Sequence, residues 1–262
     1  MNDATRVLDP VETHLIYAAP GAGFCRKSTL IHDARAALDP PSLNREGFVL
    51  RRHATGVANF FDPAEVRSTY YPEVEQLLQE TTGAARAFAF EHDVRCVATP
   101  ERREREAREA VKVVHDDYTA KSAPERARLY LPDEAEVLLE GPYAVINVWR
   151  PIRGPVLDTP LAVCDARTIA EADLVPTEQG VKHEVYLFNF NPSHRWYYFS
   201  AMTTSEVLLL KCFDSRIDGR ARITAHSAFD LPAEPSQTPS RQSIEVRALV
   251  FFPPISASAG SP

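Results

Sequence analysis

The sequence predicts a mainly β protein with flanking helices, built on a double-stranded β-helix (jelly-roll, cupin-like) core. Strand-like segments follow one another densely in the second half, helical patterns are mostly confined to the first half, and Pro, Gly, Asn and Asp separate the strands. About eight strands from residue 115 onward suit two sheets that close over each other. A chain of 262 residues is most simply one domain, 1–262. We expect its core at about 87–252 and a flexible tail at 253–262.

The first hundred residues contain fewer clear patterns. His14 to Ala19 and the segment GFVLRRH at 47–53 have strand character. Residues 63–82 predict a helix that is interrupted at Pro72. A further strand is predicted over 87–97, on either side of a polar break.

The second half contains strand-like runs rich in β-branched and aromatic residues. They are Tyr143–Trp149, Leu161–Cys164, Glu184–Asn189, Arg195–Ser200, Glu206–Phe213 and Ser243–Phe252. Two shorter runs, 111–114 and 221–225, each lead directly to a histidine, His115 and His226.

The chain has a single His-x-Asp motif, formed by His115 and Asp117. Alternate residues of a strand share a face, so both side chains can converge on one ion while Asp116 points away. With 8 His and 36 acidic residues in the chain, about one His-x-acid pair is expected by composition alone. The motif alone is therefore weak evidence for a metal site, and the residues that surround and follow it decide the interpretation.

His226 lies 111 residues after the motif (226 − 115) and also follows a predicted strand. Two imidazoles and one carboxylate on one face of Fe(II) leave three positions open, enough for a chelating 2-oxo acid and O2. The sequence therefore predicts that His115, Asp117 and His226 are the metal ligands of an iron oxygenase.

Arg241 and Ser243 share one face at the start of the last predicted strand. A guanidinium and a hydroxyl suit the distal carboxylate of 2-oxoglutarate. Arg247 lies on the same face and is a second candidate for that role.

Three more residues are expected at or beside the pocket. Trp149 offers an aromatic wall for substrate, and Tyr118 follows the metal motif directly. Arg150 supplies a cation for 2-oxoglutarate or substrate, unless it braces Asp158 or Asp165.

Several segments resemble the AsaB-like hydroxylase/desaturase family of fungal secondary metabolism, which includes the CmcJ- and NvfI-type oxygenases. They are Asn147–Pro151, Gly154–Val156, Pro160–Asp165, Trp196–Tyr198, Glu206–Ser215 and Arg241–Arg247. The resemblance implies a non-haem Fe(II)- and 2-oxoglutarate-dependent oxygenase on a jelly-roll core. The triplet Arg241-Gln242-Ser243 also resembles the Arg-x-Ser motif of the isopenicillin N synthase superfamily, which favours Arg241 over Arg247.

The expected function is hydroxylation, desaturation or another oxidative rearrangement of a small-molecule natural-product intermediate. Two alternatives stay open at this point. One is an iron oxidase of isopenicillin N synthase type, which needs no 2-oxoglutarate. The other is a jelly-roll binding module without catalytic activity.

Composition restricts the partners. A net charge of −7 and a pI near 5.7 argue against a general nucleic-acid binder. No apolar run reaches the ~20 residues that span a bilayer. The N-terminus has no apolar signal region, and the four cysteines are widely spaced. We therefore expect a cytoplasmic protein that acts on small molecules, and a homo-oligomer is compatible with the sequence.

Overall fold

The computed structural model describes residues 10–19, 21, 23–178, 183–231 and 240–253. Its strands are β1 Val11–Ala19, β2 Gly23–Asp33, β3 Phe48–Arg52, β4 Arg86–Cys96, β5 His115–Asp116, β6 Tyr143–Arg153, β7 Leu161–Cys164, β8 Leu174–Thr177, β9 Val185–Phe188, β10 Trp196–Tyr198, β11 Glu206–Asp214, β12 His226–Ala228 and β13 Gln242–Phe251. Its α-helices are α1 Pro63–Glu65, α2 Tyr71–Thr82, α3 Thr99–Glu104, α4 Ser122–Tyr130 and α5 Ala135–Glu140.

Two sheets form the core of the molecule. One has eight strands in the order β1-β2-β10-β7-β12-β5-β9-β8, and the other has five in the order β3-β11-β6-β13-β4. Every neighbouring pair is antiparallel except β10 with β2, which is parallel. This arrangement confirms the predicted mainly β, jelly-roll fold.

Strand alternation decides which side chains face the interior of the sandwich. On β6, Val145 and Trp149 belong to the cluster between the two sheets, whereas Ile146 and Val148 pack on the outer face of the five-stranded sheet. Helix α2 covers that outer face with Val74, Leu77 and Leu78. A polar residue at an odd-numbered position of β6 is therefore directed toward the space between the sheets.

The helix predicted over 63–82 is present, and its interruption takes the form of a π-helical turn at Val66–Tyr70. Pro72 has no N–H to donate to the preceding turn, so the regular α-helical ladder resumes only from α2.

Two expectations differ from the structure. The runs 111–114 and 221–225 are irregular, and the strands β5 and β12 begin at the histidines themselves. The sheets also take in β1, β2 and β3, which precede residue 87. The predicted tail at 253–262 lies outside the described residues except for Pro253.

Among the described residues, no helix is long and apolar enough to cross a bilayer.

Candidate metal centre

His115 and His226 lie directly opposite each other on the neighbouring strands β5 and β12. Their ring centroids are 4.3 Å apart. Each Nδ1 contacts the backbone carbonyl oxygen two residues earlier: His115 that of Val113 at 2.7 Å, and His226 that of Thr224 at 3.0 Å. A carbonyl oxygen only accepts, so each Nδ1 carries the proton and each Nε2 keeps a lone pair for a metal.

Asp117 supplies the third group. One potential ligand atom from each of His115, Asp117 and His226 lies within 4.8 Å of the others. Asp117 Oδ1 lies 3.6 Å from His115 Nε2. The other oxygen, Oδ2, accepts hydrogen bonds from Asn147 Nδ2 at 2.8 Å and from Arg247 Nε at 3.0 Å.

The charge states of these groups suit a divalent cation. Burial lowers the pKa of His115 to about 4 and also lowers the pKa of His226, so both imidazoles are neutral near pH 7. Burial alone would raise the pKa of Asp117, but the Arg247 guanidinium and the two imidazoles hold it well below its usual range. His226 Nε2 is buried and has no hydrogen-bond partner among the residues that the structure describes. A metal ion at this position would satisfy that atom, so the three residues fit an Fe(II) site.

A narrow space leads from the two histidines to Arg241. Its walls include Val111, Trp149, Leu161 and Ala228, together with the charged residues Arg95 and Glu245. Arg241 is buried at the far end, with its guanidinium carbon 5.1 Å from the centre of the Trp149 ring. The space therefore joins a metal site at one end to a buried cation at the other.

Three contacts fix Arg241. Its Nε donates to Ser243 Oγ at 3.2 Å, and its Nη1 donates to the carbonyl oxygen of Thr159. Its backbone N–H donates to Asp158 Oδ1 at 2.7 Å. Burial lowers the pKa of Arg241 to about 10, which leaves the side chain cationic at neutral pH. None of these side-chain partners is a carboxylate, so the positive charge is available to an anionic ligand.

A larger cavity of about 690 Å³ opens on the other side of His115 and Asp117. One wall is aliphatic, with Val111, Val113, Val185 and Leu187; the other is polar, with Glu91, His92, Asp93, Arg95, Arg108, His183 and Arg247. Much of the polar wall comes from β4, so the N-terminal part of the chain contributes directly to this cavity.

Arg247 lies next to the metal site, but its guanidinium is fully engaged. Its Nε, Nη1 and Nη2 contact Asp117, Asp93 and Glu245, at 3.0, 3.0 and 2.8 Å. An arginine that already binds three protein carboxylates is poorly suited to bind the carboxylate of 2-oxoglutarate as well. Of the two candidates, the geometry therefore favours Arg241.

Arg150 does not reach either space, which corrects the expectation that it contacts co-substrate or substrate. It follows Trp149 on β6 and therefore projects to the opposite face of the sheet. Its guanidinium donates to the Tyr70 hydroxyl at 2.9 Å and to the carbonyl oxygens of His53 and Thr204. It also does not brace Asp158 or Asp165, because the hydrogen bonds of those carboxylates go to Arg241, Arg167 and neighbouring groups.

The two predicted aromatic residues occupy different positions. Trp149 lines the narrow space, and its Nε1 is buried without a hydrogen-bond partner in the described ranges of the chain. Tyr118 is fully buried and stacks on His183, with ring centroids 5.0 Å apart. His183 lines the large cavity, so Tyr118 lies behind that wall and supports it.

Asn147, Asp93 and Glu245 also belong to the site, through their contacts with Asp117 and Arg247, and were not predicted. A signal for Glu245 was present in β13, where residues 243, 245 and 247 are polar and alternate with the apolar Ile244 and Val246. Polar residues on one face of a strand that is buried throughout indicate a polar site between the sheets.

Comparisons with known proteins agree with this geometry. A family model described as "Oxidoreductase/YMDC permease-like domain" matches residues 19–251. The hydroxylase/desaturase efuI of Hormonema carpetanum is 35% identical over 248 residues, covering 85% of this chain and 83% of that protein. The Fe(II)/2-oxoglutarate-dependent dioxygenase nvfI of Aspergillus novofumigatus is 34% identical over 235 residues, covering 84% and 81%. The hydroxylase/desaturase asaB of Aspergillus flavus is 40% identical over 136 residues, covering 45% and 60%.

A solved structure is similar to this chain over nearly its whole length. The iron and alpha-ketoglutarate-dependent endoperoxidase NvfI superposes with a TM-score of 0.83 at 30% identity, covering 95% of this chain and 99% of that one.

Proposed function

The chain belongs to the AsaB-like hydroxylase/desaturase family of Fe(II)- and 2-oxoglutarate-dependent oxygenases, and from that membership we propose that it oxidises a small-molecule natural-product intermediate. Fe(II) is the cofactor, and 2-oxoglutarate and O2 are the co-substrates. The reaction is a hydroxylation, a desaturation or another oxidative rearrangement of the substrate.

The observation that carries the proposal is the pairing of two half-sites across one narrow space. At one end, His115, Asp117 and His226 present neutral nitrogen and anionic oxygen donors, with the His226 Nε2 atom unpartnered. At the other end, Arg241 presents a buried cation whose side-chain hydrogen bonds go to Ser243 and Thr159, with Glu245 lining the same space. A dicarboxylate with a 2-oxo group matches both ends at once.

We assign the ligands accordingly. His115, Asp117 and His226 would hold Fe(II), which when bound activates O2 at the expense of the oxidative decarboxylation of 2-oxoglutarate. Arg241 and Ser243 would bind the distal carboxylate of 2-oxoglutarate. Trp149 and Leu161 would enclose its carbon chain and exclude water.

The cavity of about 690 Å³ beside His115 and Asp117 is the proposed substrate site. Its aliphatic wall would pack against a carbon skeleton, and its polar wall would orient polar substituents. Since the same ligand set serves several outcomes, the position of the substrate C–H bonds relative to the metal would decide between hydroxylation and desaturation.

We further propose that residues 1–262 form a single oxygenase domain, because the family match extends over 19–251. The net charge of −7 supports a small-molecule substrate in preference to a nucleic acid or an anionic membrane surface. Four free cysteine thiols support the cytoplasm as its compartment.

The test is turnover of 2-oxoglutarate labelled at C1. The protein with Fe(II), ascorbate and O2 should release labelled CO2 and form an equal amount of succinate, also without a prime substrate. His226→Ala should abolish the release, whereas His194→Gln, which changes another histidine with a buried side chain, should retain it. Oxygen consumption without release of label would favour an oxidase of isopenicillin N synthase type and contradict the proposal.

A further inference from the structure

We propose that Asn147 and Arg247 are positioning residues that restrict Asp117 to binding the metal through Oδ1 alone. The inference rests on the proposed iron site and goes beyond it, since neither residue is a metal ligand. We call Asn147 and Arg247 together the carboxylate clamp.

The clamp is built into the register of two neighbouring strands. Asn147 on β6 and Arg247 on β13 are directly paired. Both side chains approach the same oxygen, Asp117 Oδ2, at 2.8 and 3.0 Å. Asp117 follows β5 of the eight-stranded sheet, so the five-stranded sheet holds a ligand that belongs to the other sheet.

Further contacts immobilise Arg247. Its Nη1 donates to Asp93 Oδ2 at 3.0 Å, and its Nη2 donates to Glu245 Oε1 at 2.8 Å. Arg108 in turn binds Asp93, with 3.0 Å between Nη1 and Oδ1. A guanidinium fixed at each nitrogen by a carboxylate cannot rotate without breaking several charge-assisted hydrogen bonds.

The consequence concerns the number of open positions on the metal. A carboxylate can bind a metal through one oxygen or through both. With two donors on Oδ2, the lone pairs of that oxygen are occupied, and Oδ1 faces the His115 Nε2 atom. Chelation by 2-oxoglutarate uses two positions and O2 uses one, so a bidentate Asp117 would remove a position that the reaction needs. By leaving only Oδ1 of Asp117 free to bind the metal, the carboxylate clamp keeps all three positions available for 2-oxoglutarate and O2.

Arg150 provides a matched control. It is also a buried arginine with every guanidinium nitrogen engaged, and it lies on β6, three residues from Asn147. It faces the opposite side of the sheet, away from the metal site. A purely structural effect of losing a buried arginine should therefore appear equally in Arg150→Lys and Arg247→Lys.

The experiment is titration of the metal-free protein with Co(II) alone, followed by visible absorption. Asn147→Ala and Arg247→Lys should each weaken Co(II) binding by roughly 10- to 100-fold, the usual effect of removing a hydrogen-bond partner of a ligand. Arg150→Lys should stay within about threefold of the wild type. A lysine retains the charge but carries its donors on one nitrogen, so it cannot reproduce the contacts that three separate guanidinium nitrogens make, and Arg247→Lys should weaken binding although the charge is kept.

A second measurement reads the binding mode itself. Crystals of Mn(II)-loaded Asn147→Ser should show Asp117 bound through both oxygens, whereas the wild type should show Oδ1 only. Asn147→Ser can also replace Asn147→Ala in the Co(II) titration if Asn147→Ala does not fold.

The outcomes separate the two proposals. If wild-type protein binds no Co(II), the iron site itself is refuted. If the wild type binds Co(II) but Asn147→Ala and Arg247→Lys bind it equally well, or if Asp117 stays monodentate in Asn147→Ser, the clamp is refuted while the iron site stands.

Discussion

Replacement of Arg241 by methionine tests the proposed co-substrate site. Methionine has a similar length and keeps packing against Trp149, but it removes the charge and the hydrogen bonds to Ser243 and Thr159. Among the described residues, Arg241 Nη2 has no hydrogen-bond partner and Nη1 donates only to the Thr159 carbonyl oxygen. The guanidinium can therefore bind a carboxylate of the ligand without giving up a hydrogen bond to a protein carboxylate.

The magnitude follows from burial. Truncation of one partner of a buried, hydrogen-bonded charge pair costs about 2–5 kcal/mol of binding free energy. Because each 1.4 kcal/mol is a factor of ten, we expect the Kd for 2-oxoglutarate to rise by roughly 30-fold to several thousand-fold.

Calorimetric titration of Mn(II)-loaded protein with 2-oxoglutarate measures this Kd without turnover. Stability should not fall in parallel, because Arg241→Met removes a buried cation that makes no side-chain hydrogen bond to a carboxylate within the described part of the chain. We therefore expect the variant to unfold at a temperature no lower than the wild type. A Kd within threefold of the wild-type value, in a folded and Mn(II)-loaded variant, would refute the assignment of Arg241.

Three other changes have defined outcomes. Ser243→Ala should raise the Kd for 2-oxoglutarate by roughly 10- to 100-fold, the effect of losing one hydrogen bond to a charged group; an unchanged calorimetric Kd would exclude Ser243 from the site. His226→Ala should weaken Mn(II) binding at least 100-fold by equilibrium dialysis, and retained binding would contradict its role as a ligand. For His115, the unfolded chain gains a proton near pH 6.5, whereas the folded protein does so only near pH 4. The metal-free protein should therefore lose about 3 kcal/mol of unfolding free energy as the pH falls from 6.5 to 4, and less in His115→Gln. Urea denaturation between pH 6.5 and 4 measures this loss. An equal pH dependence of the unfolding free energy in the wild type and in His115→Gln would contradict the prediction.

Strand alternation explains both what the sequence predicted and what it missed at the site. It predicted a shared face for Ser243 and Arg247, which both lie on β13, and for Arg241, which precedes the strand and contacts Ser243. The same rule separates Trp149 from Arg150, because adjacent strand residues project to opposite faces. Predicting both for the pocket was therefore inconsistent with the strand on which they lie.

The role of Arg247 could not be predicted from its own strand. Glu245 lies on the same strand, but Asp93 comes from β4 and Asp117 follows β5, and only the folded register brings these two carboxylates to Arg247. A guanidinium that faces the interior can anchor a ligand or neutralise protein carboxylates, and the choice depends on these long-range neighbours.

Local patterns also misplaced the two histidine strands. The β-branched runs before His115 and His226 have strand propensity, yet pairing begins at the histidines. Tertiary pairing therefore outweighs the local strand propensity, since β5 and β12 pair with each other at His115 and His226.

Anaerobic addition of Fe(II) and then 2-oxoglutarate to the metal-free protein tests the central claim most directly. Chelation of the metal by the 2-oxo acid produces a weak visible metal-to-ligand charge-transfer band. We predict that the band develops in the wild type and is absent from His115→Ala and His226→Ala. Iron binding without a band would contradict the 2-oxoglutarate site, and a wild-type protein that binds no iron would contradict the assignment of all three ligands.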